Sequence, residues 1–133
     1  MKVLFDTNVI LDLLLDRSEF VDDASVLISK VDTNEIDGFL CATTITTIHY
    51  LLEKSLNTTQ AAKHIKTLLN IFDIAPVSSE TLEKALNPKF TDYEDSVLHE
   101  AALAVDVDSI VTRDYSGFKN SKKIGRASCR ERV

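Results

Sequence analysis

The sequence is poor in several features that mark large functional classes. Its three glycines, Gly38, Gly117 and Gly125, stand alone. Without a glycine-rich loop to cradle phosphate, a P-loop or dinucleotide-binding fold is unsupported. Two cysteines, Cys41 and Cys129, make no disulfide framework, and Cys41 shows no metal-ligand spacing with His64 or His99. No apolar run approaches the roughly 18 residues of a membrane span. The opening Met1-Lys2-Val3-Leu4-Phe5 passes into a charged motif without the shape of a signal peptide, so a cytoplasmic location is expected. Basic charge is also scarce: 15 Lys and Arg face 21 Asp and Glu, for a net charge of -6. That balance argues against a protein that grips nucleic acid by a broad basic surface, because neutralising phosphates takes clustered Lys and Arg. It leaves room for an enzyme that meets phosphates through bound cations, since ions held by carboxylates invert the local field. No nucleophile triad assembles.

What is present suits one globular domain. The 133 residues are 44% hydrophobic and 27% charged, and a chain of this size buries roughly two-thirds of its unfolded surface. Lys2 to Phe5 reads as a buried strand ending at Asp6-Thr7-Asn8, and a leucine-rich segment, Val9 to Leu15, follows it. Phe20, Ala24, Leu27, Ile28 and Val31 recur at helical spacing over 19–31, and Gly38 marks a turn before a second strand over 39–42. Ile45, Ile48, His49, Leu51 and Leu52 suggest a helix despite a threonine-rich start, with His49 read as packed into the core. Thr58 opens another helix with Ala61, Ala62, Ile65, Leu68 and Leu69 on its apolar face. A third strand is expected over 72–77, then a short helix capped by Ser78 or Ser79 and stopped at Asn87-Pro88. A helix starting at Thr91 or Asp92 and a fourth strand over 108–112 complete the pattern. Strands separated by helices predict an α/β fold, a parallel sheet covered on both faces. Sites in such sheets form outside the carboxyl ends of the strands.

Acidic residues fall at those ends. Asp6 follows the first strand, Asp114 lies just past the fourth, and Asp92 and Asp95 open the helix before it. Each has an ordinary alternative: Asp6, Thr7 or Asn8 could cap the following helix, and Asp92 with Asp95 has the spacing of a capping box. Four carboxylates converging from separate segments would repel one another unless a divalent cation sat among them. Hard oxygen donors suit Mg²⁺ or Mn²⁺, which acidify water and stabilise a leaving oxygen in phosphodiester cleavage. Asp12, one and a half turns past Asp6, is expected in solvent, and Arg113 is read as a surface residue or a phosphate contact.

Three segments carry a family resemblance: Phe5-Asp6-Thr7-Asn8-Val9-Ile10-Leu11-Asp12, Asp92-Tyr93-Glu94-Asp95-Ser96-Val97, and Val111-Thr112-Arg113-Asp114 followed by Gly117-Phe118. In order and spacing they resemble the acidic motifs of PIN domains, the fold of VapC-type toxins and related ribonucleases. The resemblance spans about residues 1–120. It implies a three-layer α/β/α sandwich, Mg²⁺ or Mn²⁺ held by Asp6, Asp92, Asp95 and Asp114, and endonucleolytic cleavage of RNA. It also implies an antitoxin partner and a homodimer. Thr7, Asn8, Thr47 and Arg113 are candidate supporting residues. Thr47 marks a departure, because it occupies the place where many active members carry a Glu. The alternative function is therefore a catalytically weak PIN module that binds RNA or protein. A phosphoryl-accepting receiver domain shares acidic strand ends, but its acidic pair after the first strand and Lys after the last are not evident.

Residues 124–133 resemble the translation of a common sequencing adapter, so the nuclease domain is expected over 1–123 with a non-native tail beyond it. Setting aside the tail's three Arg and one Glu takes the net charge from -6 to -8. The family's usual further edge strand is expected to be missing.

Overall fold

The computed structural model describes residues 1–16, 21–86, 92–112 and 126–127. In chain order the elements are β1 (Lys2–Phe5), α1 (Thr7–Leu15), α2 (Val21–Asp32), β2 (Asp37–Cys41), α3 (Ala42–Ser55) and α4 (Thr58–Ile71). They continue with β3 (Asp73–Ala75), α5 (Ser79–Lys84), α6 (Tyr93–Ala104), β4 (Ser109–Val111) and β5 (Arg126–Ala127). The strands run parallel in the order β3-β2-β1-β4-β5.

The strand period of two distributes the apolar side chains to both faces of the sheet. Val3 and Phe5 of β1, Leu40 of β2 and Val111 of β4 join one buried cluster with Val9, Ile10 and Leu11 of α1, Leu27 and Val31 of α2, Ile48 and Leu52 of α3, and Leu68 of α4. The intervening Leu4, Cys41 and Ile110 face the other way, against Val97, Leu98, Ala101 and Ala102 of α6. The molecule is thus the expected three-layer α/β/α sandwich, with α1 to α4 on one face and α5 and α6 on the other.

Local chemistry explains where the helices start. Asn57 accepts from the Gln60 amide at 2.8 Å and caps α4. Ser78 and Thr81 form a reciprocal capping box at α5. The threonine-rich start of α3 is helical because its hydroxyls find partners: Thr43 lies 3.2 Å from Cys41 Sγ, and Thr46 donates to the Thr43 carbonyl at 2.9 Å.

Several expectations are corrected. Gly38 is not a turn residue but lies inside β2, beneath Val31 and Phe72. The preceding turn is made by Asn34, whose φ of 63° is left-handed, a conformation that asparagine tolerates better than most residues. Asp12 is fully buried instead of solvated, because α1 packs between α2 and α3 and buries Val9 through Asp12 in one run. His49 is only half-buried, while His99 is the histidine packed in the interior. The outer edge of β4 is not bare: Ile110 pairs with Arg126 and Val111 with Ala127 over two residues. The expected stop at Asn87-Pro88 lies outside the described residues. Among the described residues, no helix is long and apolar enough to cross a membrane.

Candidate active site

The sheet order places a switch point between β1 and β4. The chain leaves β1 toward α1 on one face and returns to β4 from α6 on the other, which opens a crevice at the carboxyl edge. The β1–β4 register, Phe5 opposite Val111, continues one step further: the Asp6 amide donates to the Val111 carbonyl at 2.9 Å. Asp6 and Thr112 therefore leave the two strand ends side by side, and Thr112 Oγ1 donates to Asp6 Oδ2 at 2.8 Å. Asp6 occupies the N-cap position of α1, yet its side chain makes no cap bond. It is only 5% exposed. The helix dipole favours a negative group there, but the carboxylate turns toward β4 and the crevice instead of back over its own helix.

The start of α6 reaches the same edge by a different route. Its C-terminal end is tied to the opposite, amino edge: the Val107 amide donates to the Ala102 carbonyl, the Asp108 amide to the Lys2 carbonyl, and the Lys2 amide to Asp108 Oδ2 at 2.8 Å. Twelve helical residues span about 18 Å, so the first turn of α6 arrives near the carboxyl ends of the strands. Ser96 Oγ donates to the Ala85 carbonyl at 2.6 Å, and Tyr93 donates to the Leu82 carbonyl at 2.7 Å, which fixes that turn against α5.

Within the turn the two carboxylates differ. Asp92 is exposed and caps the helix, accepting from the Glu94 amide at 2.9 Å. Asp95 is half-buried, and the buried His99 follows one turn later on the same face. Of the other candidates, Thr7 is buried, with its Oγ1 2.9 Å from Thr44 Oγ1. Asn8 is exposed, and Thr47 is half-buried one turn after Thr44 on α3. Arg113 and Asp114 lie outside the described residues. Sequence reasoning missed Thr44 and Thr112, whose partners stand 37 and 106 residues away.

The donors that gather at this edge are carboxylate and hydroxyl oxygens, the kind a hard divalent cation takes. Among the described residues, no group of three or more His, Cys, Asp and Glu side chains is close enough to hold a metal ion.

A separate groove of about 290 Å³ lies between α5 and the second half of α6, lined by Ser78, Glu80, Thr81, Lys84, Glu100 and Leu103, among others. Lys84 and Glu80 pair there at 2.8 Å. Their hydrogen bond and charge attraction hold the Glu80 carboxyl below its usual range and the Lys84 ammonium above its own. This exposed pair belongs to the α5–α6 surface and not to the carboxylate crevice.

A parallel α/β/α sandwich with a buried aspartate at its switch point is the architecture the acidic motifs implied. A PIN domain family model matches residues 2–116, and the chain belongs to that family. Among curated proteins, Ribonuclease VapC1 of Aquifex aeolicus (strain VF5) is 29% identical over 122 residues, covering 88% of this chain and 84% of that protein. The fold is similar to VapBC2 from Rickettsia felis bound to a DNA fragment from its promoter. That match has a TM-score of 0.73 at 16% identity and covers 96% of this chain and 98% of the other. It is also similar to Mycobacterium tuberculosis VapC20, a Sarcin-Ricin loop cleaving toxin. There the TM-score is 0.70 at 12% identity, over 88% of this chain and 95% of that one.

Proposed function

We propose that this chain is a VapC-type endoribonuclease, the toxin of a toxin–antitoxin pair, acting with Mg²⁺ or Mn²⁺. The observation that carries the reading is the buried Asp6 carboxylate at the β1–β4 switch point, fixed by Thr112 in a chain of the PIN family. Its similarity to a ribonuclease supports the activity, and its likeness to VapBC assemblies supports an antitoxin partner. A homodimer and a cytoplasmic location belong to the same proposal, as does a nuclease domain over residues 1–123 followed by a non-native tail.

In this reading Asp6, Asp95 and Asp114 hold the cation, with Asp92 at the rim, and Thr7, Asn8, Thr47 and Arg113 support the site. When bound, the ion would supply positive charge against the phosphodiester and acidify the attacking water. The protein's share is orientation. Thr112 fixes Asp6, the α5 contacts of Tyr93 and Ser96 fix the turn that carries Asp95, and burial of Asp6 strengthens its attraction for a cation.

The division between Asp92 and Asp95 is testable. Ser caps a helix about as well as Asp, so Asp92→Ser is expected to keep the melting temperature and to lower cleavage less than tenfold. Asp95→Asn is expected to lower cleavage by about a hundredfold or more, on the scale of losing one electrostatic group at a reaction centre. Equal losses in the two variants would make Asp92 a full partner.

The function itself is tested by incubating single-stranded and structured RNA with the protein, with Mn²⁺ or with EDTA. Cleavage that requires Mn²⁺ supports the proposal, and cleavage indifferent to EDTA contradicts it. Thr47 motivates a second reading, a PIN module that binds RNA without cutting it, because a hydroxyl supplies no negative charge. Mn²⁺ binding without cleavage of either RNA favours that reading.

A further inference from the structure

Two buried hydroxyls stand next to the site. Thr7 is the first residue of α1, adjacent to Asp6, and Thr44 lies in the first turn of α3. Their Oγ1 atoms are 2.9 Å apart, and Thr44 has no solvent exposure. Because β1 and β2 are paired neighbours, α1 and α3 spring side by side from one sheet edge, and this bond spans the gap between them. Helix propensity does not call for threonine at either place, and a buried valine would gain apolar contact without a hydroxyl to satisfy. Thr43 and Thr46 use their hydroxyls within α3 and its cap, whereas Thr44 reaches a different element.

Resting on the nuclease reading, we propose that Thr44 is a positioning residue. Its hydroxyl, bonded to Thr7, locks the start of α3 against the Asp6 loop. It thereby sets how the next turn presents Thr47 to the crevice. The bond is local to the carboxylate: Thr7 is joined to Asp6 by one peptide link, and Thr44 precedes Thr47 by one helical turn on neighbouring faces of α3. Any rotation of α3 about its axis would move Thr47 and strain Thr7 together.

The test compares wild type with Thr44→Val, Thr44→Ser, Thr7→Val and the double valine variant. Three readouts are taken below the melting temperature: Mn²⁺ affinity by electron paramagnetic resonance, cleavage of a fluorophore-quenched single-stranded RNA, and amide hydrogen exchange at residues 46–48. Misplacing a site by about 1 Å costs on the order of a hundredfold in rate, so Thr44→Val is expected to lose about 10- to 100-fold in kcat and Thr44→Ser to recover most of it. Thr7→Val and the double variant are expected to match Thr44→Val, because one bond is lost in all three. Losses that multiply in the double variant would overturn the proposal. So would exchange at residues 46–48 that is no faster in Thr44→Val, whatever the protein does to RNA. An active wild type with an unimpaired Thr44→Val overturns this inference alone, whereas a wild type inert toward both Mn²⁺ and RNA overturns the nuclease reading together with it.

Discussion

Asp6→Asn is expected to reduce RNA cleavage by about three orders of magnitude while leaving the fold intact. The side chain keeps its shape, and its amide oxygen can still accept the Thr112 hydroxyl that now meets Oδ2. What disappears is a negative charge on a side chain only 5% exposed. A cation bound there contributes several kcal/mol of charge stabilisation to phosphodiester cleavage, and each 1.36 kcal/mol is a tenfold change in rate. The melting temperature without metal should change little, because the isosteric amide keeps the Thr112 bond. Initial rates with Mn²⁺ and a thermal melt decide the matter. A variant that cuts RNA at wild-type speed would remove Asp6 from the chemistry.

Gly38→Ala is expected to cost about 1–3 kcal/mol of stability by overpacking, which lowers the melting temperature by roughly 4–11 °C for a domain of this size. A Cβ at Gly38 would lie 2.6 Å and 2.8 Å from the two γ-methyls of Val31 and 2.9 Å from a ring carbon of Phe72. Neither neighbour can give way easily. Val31 is a β-branched residue inside α2, confined to essentially one rotamer, and Phe72 packs edge-on against Phe5 with ring centroids 5.4 Å apart. The strain falls on β2, the strand from which α3 departs, so activity should suffer along with stability. Urea unfolding of the two proteins measures it. A shift of less than 1 °C would mean that α2 docks on the sheet with slack.

The strands, and the place of Asp6 at the end of the first, were legible because buried parallel strands write themselves as short apolar runs. The aspartate that ends such a run marks the carboxyl edge. Helix starts were legible where the cap chemistry is local, as with Ser78 and Thr81. Asp12 was misread because periodicity describes one helix at a time and cannot say that α1 is flanked by α2 and α3. Gly38 was misread for a related reason: it is required by the close approach of Val31 and Phe72, partners from two other elements, and not by a turn. The hydroxyl partners of the site were invisible because Thr112 meets Asp6, and Thr44 meets Thr7, only after the sheet has brought distant segments together. Asp92 carried both meanings in the sequence, cap and ligand, and the structure shows the cap.

Soaking crystals of the protein in Mn²⁺ and recording the anomalous signal tests the central claim most directly. The account predicts a peak at the carboxyl edge between β1 and β4, roughly 2 Å from an Asp6 carboxylate oxygen as hard cations require, with Asp95 and Asp114 also in contact. A peak elsewhere, or none at concentrations that support cleavage, would contradict it.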